Sequence, residues 1–95
     1  MKIGVNMDYY VVTFYSTNYA LKIERIMKKN DLNIKLIPVP RQVSSNCGLA
    51  ARLDPENYPF FKDLYKEGVI EVEGVYKVSK NDKDGKKLTF SLLEI

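Results

Sequence analysis

No histidine occurs in these 95 residues, and cysteine occurs once, as Cys47. The first absence removes the Cys-His and Ser-His pairs that activate many nucleophiles, together with the commonest transition-metal ligand. A single cysteine forbids an internal disulfide, which suits a reducing compartment. It also leaves no resolving partner for a dithiol cycle of the thioredoxin type. Residues Met1 to Asp8 lack the apolar core of a secretion signal, and no stretch approaches the roughly 18 apolar residues of a membrane span. The expected location is therefore cytoplasmic, with no membrane partner. Long basic runs, glycine-rich phosphate loops, internal repeats, linkers and low-complexity tracts are all missing. The charge balance, 15 basic against 12 acidic residues, gives +3. That excess slightly favours anionic partners but falls short of a nucleic-acid footprint. The residues imply neither a metal nor an organic cofactor.

What is present is enough for one modest core. An apolar share of 45% in a chain of this length predicts a single domain, residues 1–95. Its folded unit is expected over about 9–78, with 79–95 as a C-terminal hairpin extension. Met1 to Met7 and the polar run Lys80 to Lys87 are expected to be mobile, and Met7-Asp8-Tyr9 reads as an alternative start.

Tyr9 to Tyr15 is aromatic and β-branched without charge, as in a central strand. Ser16, Thr17 and Asn18 offer capping oxygens before a helix whose apolar stripe is Ala20, Leu21, Ile23, Ile26 and Met27, ending near Asn30. Its terminal Lys28 and Lys29 suit the helix dipole. Ile34 to Ile37 predicts a short strand closed by prolines. Gly48 to Leu53 suits either a strand or a helical turn, and the alternation of Leu49, Ala51 and Leu53 favours the strand. Asp54-Pro55-Glu56-Asn57 starts a second helix with Phe60, Phe61, Leu64 and Tyr65 on its apolar face and Gly68 as its stop. Val69 to Val78 reads as a strand with Ile70, Val72, Tyr76 and Val78 on one side, Glu71, Glu73 and Lys77 on the other, and a bulge at Gly74. Leu88, Phe90 and Leu92 alternate as an added strand. The order β-α-β-β-α-β makes the fold class α+β, a ferredoxin-like sandwich with an extra C-terminal strand.

Candidate chemistry gathers at Pro38-Val39-Pro40-Arg41-Gln42-Val43-Ser44-Ser45-Asn46-Cys47-Gly48-Leu49-Ala50. The prolines stiffen the entry, Ser44, Ser45 and Asn46 favour turns, and Gly48 permits unusual dihedrals, so the segment is expected to present Cys47 rather than bury it. A free thiol ionises near pH 8.5, and its reactive form needs positive charge or donors. Arg41 and Arg52 are the candidate charges, and turn N–H groups or a helix start at Cys47 are the candidate donors. Tyr9, Tyr10 and Tyr15 read as core and sheet surface, with no basic residue interleaved, and Glu71 and Glu73 as a solvated strand face.

The order Tyr9-Tyr10-Val11-Val12-Thr13-Phe14-Tyr15-Ser16-Thr17, an amphipathic helix, Pro38-Val39-Pro40-Arg41 and then Ser44-Ser45-Asn46-Cys47-Gly48-Leu49-Ala50 resembles a small bacterial family of selenium/sulfur carrier-like proteins. The likeness runs from about Tyr9 to Val78. It implies that Cys47 holds a sulfur or selenium atom as a persulfide or selenosulfide, taken from a donor enzyme and passed to an acceptor protein. Arg41, Ser44, Ser45, Asn46, Gly48 and Arg52 would support the thiolate or its anionic adduct. The chain would then be a transfer protein more than an enzyme. Two alternatives stay open: Cys47 as a buried small hydrophobe, and the whole chain as a small regulatory or ligand-binding module whose thiol is incidental.

Overall fold

The computed structural model describes residues 8–43, 45–80 and 88–94. Uncharged β-formers make β1, Tyr9–Thr13, the middle of a five-stranded antiparallel sheet with order β2-β3-β1-β4-β5. The other strands are β2, Lys35–Pro38, β3, Leu49–Leu53, β4, Gly74–Lys80, and β5, Leu88–Leu93. Helix α1, Thr17–Lys29, joins β1 to β2, and a 3-10 turn at Pro55–Asn57 leads into α2, Tyr58–Lys66, between β3 and β4. The first four strands and two helices have the ferredoxin-like arrangement, and β5 adds a strand outside β4, as the C-terminal alternation predicts.

Register sorts the side chains into two faces. Tyr10, Val12, Ala51, Leu53 and Val75 lie on the face covered by the helices, where they meet Ala20, Ile23 and Met27 of α1 and Phe61 of α2. Burying side chains such as Phe14, Ile23 and Phe61 contributes about 1.5–3 kcal/mol each, which makes this layer the main source of stability. On the other face Val11, Ala50 and Val78 form a second cluster with Tyr9, Ile37, Val39, Tyr76, Leu88 and Phe90.

Local chemistry explains most element ends. Lys28 and Lys29 occupy the last turn of α1, and Gly68 takes φ 77° directly after α2, a conformation costly for other residues. Ser16 stands at the N-cap of α1, yet its side chain makes no capping bond.

The segment before β4 departs from the sequence-based reading. Residues 69–73 are not strand, and β4 begins at Gly74. Ile70 and Val72 turn into the helix-side core, whereas Tyr76 and Val78 lie on the opposite face. Two inward apolar residues spaced like a strand were satisfied by an irregular segment crossing from α2 back to the sheet. Gly74 is there for room rather than for a bulge: a Cβ would stand 3.3 Å from Thr13 Oγ1 and 3.4 Å from the Tyr76 ring. Lys80, expected in the loop Lys80 to Lys87, instead closes β4, and the expectations for Met1 to Met7 and for the rest of that loop lie outside the described residues.

Candidate functional site

The connection between β2 and β3 carries Cys47. Val39 N–H donates to the Gly48 carbonyl at 3.2 Å, which closes the base of the loop, and Val43 N–H donates to the Pro40 carbonyl at 3.0 Å. Cys47 therefore sits in a hairpin connection, just before β3, and does not start a helix.

Its thiol does not project into solvent. Cys47 is only 6% exposed and belongs to the helix-side cluster with Phe14 and Ala20. The expectation of a presented side chain is thus corrected. The neighbouring Asn46 and Gly48 are exposed, but the side-chain alternation that enters β3 through Leu49 directs Cys47 inward.

The sulfur nevertheless has two polar partners. Leu49 N–H donates to Sγ at 3.4 Å, and Thr17 Oγ1 lies 3.7 Å from Sγ. Thr17 is the first residue of α1. At that end of a helix the unpaired N–H groups and the dipole favour negative charge. No helix starts at Cys47 itself, and what α1 brings to the sulfur is the Thr17 hydroxyl.

Ser45 and Asn46 hold the loop from its outer side. Ser45 Oγ–H donates to Glu73 Oε1 at 2.8 Å and also lies 3.3 Å from the Phe14 carbonyl, while accepting Cys47 N–H at 3.2 Å. Asn46 donates from its backbone N–H to Glu73 Oε1 at 3.3 Å and from Nδ2 to Oε2 at 3.2 Å. Glu73 is itself tied to β1, since its N–H donates to the Thr13 carbonyl at 2.7 Å.

The remaining candidates divide. Arg41 is exposed in the turn that opens the loop. Gly48 is exposed, has no neighbour within 4 Å of where a Cβ would stand, and does not use a positive φ. Ser44 lies outside the described residues. Arg52 is not beside the thiol: it projects on the opposite sheet face, where its guanidinium stacks over Tyr9 at 4.0 Å and lines an open cleft with Asn33, Ile34, Lys35 and Asp54. The strand alternation that buries Ala51 and Leu53 sends Arg52 the other way. Tyr9 accordingly meets a basic residue in space that the linear sequence does not place beside it. Among the described residues, no three His, Cys, Asp or Glu side chains gather as metal ligands.

Residues 9–77 match the family described as "Putative Se/S carrier protein-like". The chain belongs to this family. None of the curated proteins and none of the solved structures matches it. Within the carrier-like family's span fall β1, α1, the Cys47 loop and Glu73, while β5 lies beyond it.

Two contributors were not legible as such. Thr17 read as a capping residue, and Glu73 read as a solvated strand face. Glu73 is instead half-buried and takes three hydrogen bonds from the cysteine loop, whereas Glu71 stays exposed. The strand assignment for 69–73 hid Glu73, because strand alternation placed it with Glu71. No helix among the described residues is long and apolar enough to cross a membrane.

Proposed function

We propose that the protein carries a single sulfur or selenium atom on Cys47 between a donor enzyme and an acceptor protein, in a reducing, cytoplasmic setting. The observation that carries this reading is the environment of the only cysteine: Sγ accepts Leu49 N–H and lies beside Thr17 Oγ1 at the start of α1. A buried thiol that served only as packing would need no such polar partners.

In the sulfur case, Cys47 thiolate attacks the outer sulfur of a donor persulfide, R–S–SH. The donor S–S bond breaks and a new S–S bond forms on Cys47, so the products are Cys47–S–SH and the donor thiolate R–S⁻. The proton stays on the outer sulfur, and no external oxidant or reductant is consumed. An acceptor thiolate repeats the exchange in the opposite sense and restores Cys47 thiolate. Leu49 N–H and the Thr17 hydroxyl stand beside the Cys47 thiolate before loading and after release, and Ser45 and Asn46 shape the loop. Arg41 presents a positive charge to an incoming anionic surface.

The burial of Cys47 favours one second reading, a small regulatory or ligand-binding module whose thiol is part of the core. Intact-mass measurement separates the two. Incubation with a sulfur- or selenium-mobilising enzyme should add one atom of the element to the wild type, removable by thiol reductant, and nothing to Cys47→Ser. If the wild type stays unloaded while both forms bind the same anionic ligand equally, the binding-module reading replaces the carrier.

A further inference from the structure

Burial and transfer make opposed demands on Cys47, and the loop's outer contacts show where they are reconciled. One carboxylate gathers three donors: Ser45 Oγ–H at 2.8 Å, Asn46 N–H at 3.3 Å and Asn46 Nδ2 at 3.2 Å. The Ser45 hydroxyl passes the restraint inward by accepting Cys47 N–H. The backbone N–H of Glu73 is bonded to β1, so the loop is tied to the central strand of the sheet. Hydrogen bonds to a charged acceptor are the stronger kind, and here they converge on the residues immediately before the thiol.

We propose that Glu73 is the positioning residue of the cysteine site. Its carboxylate holds Ser45 and Asn46 in the arrangement that buries Cys47, and release of those bonds exposes Sγ to a reaction partner. The partner follows from the carrier reading, on which the proposal rests. Exposure of the thiol on release is a property of the loop that can be measured without any chalcogen.

The test is native-state alkylation of the full chain by iodoacetamide, followed by mass over a range of urea below the unfolding transition. Wild-type alkylation should be slow and should depend only weakly on urea, the signature of a local opening. Glu73→Ala should react about tenfold faster, more than its change in global stability explains. Glu73→Gln retains one acceptor oxygen but loses the charge and should fall between the two, which keeps the test valid if the alanine variant folds poorly. A wild-type rate with the full urea dependence of global unfolding, or variant rates that follow global stability alone, would overturn the assignment. The carrier reading fails separately: thiols that alkylate as expected in all three proteins, yet never gain sulfur or selenium from a donor enzyme, leave Glu73 as the positioning residue of a thiol without that cargo.

Discussion

Cys47 is the residue on which packing and chemistry overlap, and its replacement can tell how much each contributes. Its side chain meets the helix-side core, but its sulfur also faces the Leu49 N–H and the Thr17 hydroxyl. A serine oxygen placed there would have both groups as partners, although at distances set for a larger atom. Cys47→Ser should therefore cost about 1 kcal/mol, the scale of a modest packing loss with its polar group satisfied. Urea denaturation measures it. A loss above about 3 kcal/mol is what an unsatisfied buried hydroxyl produces, and would mean that the two groups do not serve as hydrogen-bond partners at this position. Little of this was legible in the sequence. Pro, Ser, Asn and Gly around one cysteine correctly marked a loop, but their preferences concern the backbone and say nothing about which way the next side chain points. That direction is set by the register of Leu49 in β3.

At the scale of elements, the clearest joint is where α2 meets β1. Tyr58, the first residue of α2, stacks on Tyr10 with ring centroids 4.0 Å apart and an interplanar angle of 12°. Burial, and then the neighbouring Tyr10 phenol, raise the Tyr58 pKa above its ordinary 10.0. Because the folded value is the higher one, the contribution is fully present below about pH 10 and is lost as pH climbs through the raised value, the unfolded chain giving up its proton first. Stability should therefore fall more steeply above about pH 10 in the wild type than in Tyr58→Phe. Urea midpoints compared between about pH 9 and about pH 11 test this, and a constant difference between the two proteins would exclude it. Most elements could be read from periodicity. The apolar spacing of α1, the β-branched run of β1 and the alternation of β3 each demand one structure. Residues 69–73 could not be read so, because Ile70 and Val72 satisfy strand alternation and an inward-turning coil equally. That ambiguity concealed both the true start of β4 and the role of Glu73.

On the scale of the whole molecule, the sheet is covered unequally. Helices close one face, while the other rests on its own side chains and on β5. Phe90 pairs with Val78, Leu92 with Tyr76 and Leu88 with Lys80 across the β4–β5 ladder. Leu88 and Phe90 pack against the cluster of Val11, Ala50 and Val78 that the helices do not reach, whereas Leu92 remains 65% exposed. The family match ends at residue 77, so this strand lies beyond the matched span. Its removal should still be costly. A chain ending at Ser79 would uncover Val78 and Tyr76 and lose the burial of Leu88, Phe90 and Leu93, together worth about 3 kcal/mol at the usual return for partly buried apolar side chains. It would also turn β4 into an edge strand with apolar side chains, the arrangement that invites pairing between molecules. The shortened protein should thus unfold at lower urea and sediment as a mixture of larger species. If it instead keeps the full-length midpoint and sediments as the full-length protein does, β5 contributes nothing to the uncovered face.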